Sequence, residues 1–122
     1  MEHLMNWVEI PVSNMQRAAR FYGELTGLEL HEMTLGPNDY ALFSVKDKYN
    51  SGALVKGDGY KPSAEGTLVY LNGGNDLSKV MERVKKAGGK VLLEKTFLSK
   101  EAGYIGYFSD TEGNKIGLHS ME

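Results

Sequence analysis

Asn6-Trp7-Val8-Glu9-Ile10-Pro11-Val12-Ser13-Asn14-Met15-Gln16-Arg17-Ala18-Ala19-Arg20-Phe21-Tyr22 decides the fold of this chain. Val8, Ile10 and Val12 alternate with Trp7, Glu9 and Pro11, the period-two pattern of a half-buried strand. Ser13 or Asn14 follows as a helix cap, because a short side-chain oxygen satisfies an orphan amide of the first turn. Met15, Ala18, Ala19, Tyr22 and Leu25 then recur at helical spacing, and Gly27 ends the run.

The segments after the helix alternate like strands. Leu28 to Leu35 is one strand, Gly36-Pro37-Asn38-Asp39 a turn, and Tyr40 to Val45 a second strand, so the pair reads as a hairpin. Lys46 to Asn50 is polar, and Ser51 to Val55 is a short further strand. Residues 56–66 hold three glycines and one proline with little apolar content, which marks a connector.

The same order then begins again. Thr67 to Leu71 reads as a strand, and Asn72-Gly73-Gly74-Asn75-Asp76 as a turn with a cap. Leu77, Val80, Met81, Val84 and Ala87 form a helical stripe that Gly88-Gly89 terminates. Strands over Lys90 to Leu98, Tyr104 to Ser109 and Lys115 to His119 complete the half. Trp7 to Ile10 sits over Leu68 to Leu71 about sixty residues later. The expectation is an α+β chain of 122 residues with two tandem βαβββ modules, about 5–55 and 67–120, forming one domain. Neither module can bury its sheet alone. The sheets are expected to pack with helices outside and a curved trough inside.

Composition narrows the function. Fourteen basic and sixteen acidic residues are interspersed, for a net charge of −2, and no aromatic-plus-basic strip suits a nucleic acid. No apolar run approaches the roughly 18 residues of a membrane span. The first residues lack a secretory leader, and zero cysteines exclude disulfides and thiolate chemistry. The expected setting is the cytoplasm, and the expected partner is a small organic ligand. No phosphate-binding glycine motif or nucleophile elbow is present.

Phe21-Tyr22-Gly23-Glu24-Leu25-Thr26-Gly27-Leu28 and Phe108-Ser109-Asp110-Thr111-Glu112-Gly113-Asn114-Lys115-Ile116, set in this repeat, resemble the vicinal oxygen chelate family. That family includes glyoxalase I, extradiol dioxygenases and the bleomycin resistance proteins. The opening Trp7 to Pro11 looks most like its bacterial branch labelled "lactoylglutathione lyase-related". Thr111 departs from the family's usual proline. The resemblance implies a divalent metal held by His and Glu side chains from the first and last strands of each module. Here those positions carry Trp7, Ala53, Leu68 and Gly117, none of which is a ligand. No metal and no other cofactor is therefore expected. A weakly bound divalent ion at Glu9 and His119 is the alternative.

Strand alternation sends Trp7, Glu9 and Pro11 to the trough, with Tyr70 and Asn72 from the fifth strand and Lys115, Gly117 and His119 from the last. Trp7, Glu9, Tyr70, Asn72 and His119 are the candidate ligand-binding residues, and Glu9 with His119 the candidate catalytic pair. Glu9 stands out, since a carboxylate in an apolar strand costs free energy unless paired or solvated. It reads as a ligand-binding group or general base, or as a carboxylate at the rim, or as one paired with Lys115 or His119. The facing of Tyr40, Phe43, Tyr104 and Tyr107 stays open, and His31 reads as exposed. Three functions follow: a metal-free binding module similar in logic to bleomycin resistance proteins, a lyase or isomerase with Glu9 as base and no metal or a weakly bound one, or a regulatory or interaction domain whose trough is vestigial. Many members of the family pair, so a homodimer is expected.

Overall fold

The computed structural model describes residues 2–122. Ten elements follow one another: β1 (Val8–Pro11), α1 (Met15–Thr26), β2 (Leu30–Leu35), β3 (Asn38–Phe43), β4 (Gly52–Lys56), β5 (Tyr70–Asn72), α2 (Leu77–Ala87), β6 (Lys90–Ser99), β7 (Gly103–Ser109) and β8 (Lys115–Ser120). They form two compact units, Met1–Pro62 and Ser63–Glu122. Each is one βαβββ module with a four-stranded mixed sheet, in the orders β1-β4-β3-β2 and β5-β8-β7-β6. The α+β repeat read from the sequence is the architecture observed.

In the first unit Asn14 caps α1 by accepting the Arg17 amide at 3.0 Å, and Gly27 closes it in the left-handed conformation at φ 72°. The buried stripe is Met15, Ala18, Phe21, Tyr22 and Leu25. Phe21 thus replaces the expected Ala19, because the i, i+3, i+7 row of Ala18, Phe21 and Leu25 faces the sheet more squarely. The Phe21-Tyr22 motif is core packing. The two rings meet edge to face at 5.0 Å, and Tyr22 meets Phe43 of β3 in the same manner at 6.1 Å. Burial of either ring stabilises the unit by about 1.5–3 kcal/mol.

β1 runs parallel to β4, with Glu9 opposite Ala53 and Ile10 opposite Leu54. Ile10, Ala41, Phe43 and Leu54 are buried on the α1 side, and Glu9 lies on the opposite face. β3 begins at Asn38, two residues earlier than expected. Leu35 pairs directly with Asn38, so Gly36 and Pro37 alone make the turn. Gly36 supplies a φ of 62° and the Pro37 ring fixes the next, the pattern of a tight hairpin.

In the second unit Asp76 caps α2, and Leu77, Val80, Met81 and Val84 are buried. β5 is shorter than the expected Thr67 to Leu71. Gly66 turns the chain at φ 94°, and the parallel ladder to β8 spans only Tyr70 to Asn72, opposite Gly117 to His119. Buried Asp110 accepts the Glu112 and Asn114 amides, both at 2.8 Å, and the Asn114 side-chain amide at 3.0 Å. Asn114 in turn accepts the Ser63 amide at 3.0 Å. The Asp-Thr-Glu-Gly-Asn motif therefore shapes the entry to β8 and fastens the start of the unit to it.

Candidate functional site

Glu9 is the centre of a polar cluster within the first unit. Its Oε1 accepts the Tyr60 hydroxyl at 2.8 Å, and its Oε2 accepts the Trp7 indole N–H at 3.2 Å. The Tyr60 and Tyr40 hydroxyls are hydrogen-bonded in turn. The Tyr60 pKa is pushed up from 10.0 to about 12, chiefly by its bond to Glu9, then by the bond with Tyr40 and by loss of water. Among the described residues no basic side chain forms an ion pair with Glu9.

Local backbone geometry explains why these groups meet. Trp7 lies one residue before β1, in the extended chain leading into it, and so shares a face with Glu9 two residues on. The face continues through Ala53 and Leu42, which stand in register with Glu9, while Tyr40 occupies the next row with Val55. Directly after β4, Gly57-Asp58-Gly59-Tyr60 makes a turn closed by the Tyr60 amide on the Gly57 carbonyl at 3.1 Å. Gly59 takes φ 86° there, and a Cβ at Gly57 would collide with the Asn38 side chain. The turn brings Tyr60 back over Glu9.

The segment read as a plain connector thus contributes a site residue, and Tyr60 was missed. One signal for it exists: an isolated aromatic that follows two glycines immediately after a strand. Tyr40, whose facing the alternation left open, belongs to the same cluster.

The other candidates lie on the second sheet. Asn72 and His119 are register partners there, and Tyr70 is opposite Gly117. The Asn72 Oδ1 accepts the Gly74 amide at 2.8 Å, a turn that leads into α2. The His119 Nε2 donates to the Ala102 carbonyl at 2.5 Å and steadies the turn between β6 and β7. Lys115, considered as a partner for Glu9, has its ammonium 4.1 Å from the Tyr107 ring centre. His31 is exposed and packs on Tyr49 with ring centres 5.3 Å apart. Trp7 and Glu9 are therefore brought together, whereas Glu9 and His119 are each engaged inside their own unit.

The positions at which the resemblance places metal ligands carry an indole, a methyl, an isobutyl and a hydrogen, at Trp7, Ala53, Leu68 and Gly117. None has a lone pair for a divalent ion. The Tyr70 ring lies over Gly117 so closely that a Cβ there would collide with it. Among the described residues no three His, Asp or Glu side chains converge. The residues present do not fit a chelated metal.

A repeated βαβββ module, with an aromatic-lined carboxylate on a sheet face, defines the chain as a vicinal-oxygen-chelate-type protein. The family model described as Glyoxalase/Bleomycin resistance protein/Dioxygenase superfamily matches residues 4–118, and the chain belongs to that superfamily. A glyoxylase-like domain-containing protein of Didymella fabae is 30% identical over 112 residues, covering 88% of this chain and 85% of that protein. Among solved structures, a glyoxylase/bleomycin resistance protein/dioxygenase domain from Frankia sp. EAN1pec superposes with a TM-score of 0.74 at 15% identity, over 98% of each chain. An antibiotic binding protein from Streptomyces sp. CB03234 superposes with a TM-score of 0.65 at 23% identity, over 97% of this chain and 95% of its own. Among the described residues no helix is long and apolar enough to cross a membrane.

Proposed function

We propose that this protein binds a small organic molecule, without a metal, on the face of the first sheet that carries Trp7, Glu9, Tyr40 and Tyr60. The observation that carries this reading is the Glu9 carboxylate, held by two donors beside aromatic side chains. A few fixed polar groups among aromatic and aliphatic ones is the usual make-up of a small-molecule site. The antibiotic binding protein among the structural relatives is in keeping with it. Tyr70 and Asn72 remain candidate contacts. So does His119, with one ring nitrogen committed to Ala102.

Glu9→Gln tests the reading, since it keeps size and removes charge. A binding role predicts at least about a tenfold loss of affinity, or 1.4 kcal/mol, followed through the fluorescence of Trp7, the single tryptophan. Lost turnover with affinity kept would instead make Glu9 the general base of a lyase or isomerase, aided by His119. The metal-free part is checked by elemental analysis of protein purified without a histidine tag, and by titration with nickel, zinc, manganese and iron(II). Stoichiometric binding overturns it.

We also propose that the protein acts as a homodimer in the cytoplasm. The outer strand β6, with Leu92, Phe97 and Leu98 exposed, supports the pairing. The absence of cysteine is consistent with a reducing compartment.

A further inference from the structure

We propose that the group the Glu9 cluster recognises is an organic cation, a protonated amine carried on an apolar or aromatic body. This rests on the binding reading above and assigns its ligand class.

The hydrogen-bond inventory of the cluster is one-sided. An indole N–H can only donate, and that of Trp7 is given to Glu9 Oε2. A phenol has one proton, and that of Tyr60 is given to Glu9 Oε1. Both donors nearest the carboxylate are therefore spent on orienting it. Each Glu9 oxygen keeps a further lone pair, so what the cluster offers a ligand is acceptors. The complementary group is a donor.

Charge points the same way. Glu9 has no basic partner among the described residues. In register with it stand Ala53, Leu42 and, at the far edge, His31, with Val55 and Tyr40 in the next row. The face thus carries no lysine or arginine, and its one imidazole is three strands away, packed on Tyr49. A carboxylate that is half-buried beside Tyr60 and Trp7 has lost part of its water, and a cation restores what an alcohol restores only in part. An anion would meet like charge with no donor to offset it. Aromatic rings beside a carboxylate add the attraction of their negative faces for an ammonium group.

The test uses three probes of one shape: phenethylamine, which is cationic at neutral pH, phenethyl alcohol, which is neutral, and phenylacetate, which is anionic. Each is titrated into the full-length protein while Trp7 emission and calorimetric heat are followed. The expected order is amine, then alcohol, then acid, with the amine at least about tenfold tighter than the alcohol. Glu9→Gln should erase the gap between amine and alcohol, with far-UV dichroism unchanged. Tyr60→Phe keeps the charge and should keep the gap even where it weakens all three probes together, which separates charge recognition from a general loss of the site. An alcohol or acid that binds as tightly as the amine overturns the cationic assignment and leaves the binding reading standing. No response to any of the three counts against both.

Discussion

Tyr60 shows how one residue can be placed by chemistry that strand patterning does not register. Its proton is shared with Glu9 and held more tightly in the folded chain than in the unfolded one. A phenol whose pKa rises on folding contributes stability that is complete below its unfolded value of 10.0. That contribution is lost as pH rises towards about 12. Titration of phenolate absorbance should accordingly find one tyrosine ionising near pH 12, and Glu9→Gln should return it towards 10.0. An unchanged curve in the variant would mean that Glu9 does not hold the proton. Glu9 and Trp7 were legible as neighbours on one face because alternation is a strict period of two, although the partner expected for Glu9 was Lys115 or His119. Tyr60 was not, because a turn can carry a side chain back over a strand without leaving any periodic trace.

At the scale of the element, caps and corners decide where each helix and strand begins. Asp76 accepts the Ser78 amide at 3.0 Å, the Ser78 hydroxyl at 2.7 Å and the Lys95 ammonium at 3.0 Å. The Ser78 hydroxyl is the largest influence, followed by Lys95, and together they pull the Asp76 pKa from 3.8 down to about 2. A carboxylate depressed by folding adds stability that is full above 3.8 and disappears as pH falls through about 2. Asp76→Asn keeps a competent cap and removes the charge. Its melting temperature should therefore fall less than that of the parent between pH 3.8 and pH 2. Parallel curves would assign the acid sensitivity elsewhere. The helices were readable because caps, apolar stripes and terminal glycines agree. The upstream half of β5 was not, since Leu68 and Val69 read as strand while the ladder begins at Tyr70 and the Lys115 amide of β8 is given to the Ser63 carbonyl at 3.4 Å instead.

The whole molecule was the most legible scale. A repeat of strand, helix and three strands, carried by two separated motifs, is specific in a way no single motif is, and both units reproduce it. The site was less legible because it depends on which neighbour a side chain meets, not on its spacing. Asn72 is the instructive case: its place on the sheet face was readable, whereas the Gly74 amide that its oxygen accepts was not. The outer strand β6 is ten residues long and exposes Phe97 at 59% and Leu98 at 52%, an edge that a monomer ordinarily protects. Sedimentation should give the mass of a dimer for the parent chain, and Phe97→Glu should shift it towards the monomer with far-UV dichroism unchanged. A monomeric parent would remove the dimer proposal.

The ring of Tyr70 over Gly117 also bears on descent. Gly117→Glu, which would put a carboxylate at one of the family's four ligand positions, drives a side chain into an occupied space and costs about 1–3 kcal/mol. Trimming Tyr70 first removes the collision and opens the position. The two substitutions are thus epistatic in sign: their order decides whether a lineage passes through a stable intermediate. A carboxylate at position 117 is accommodated only after a change at Tyr70, and Trp7, Ala53 and Leu68 would still supply no ligand beside it.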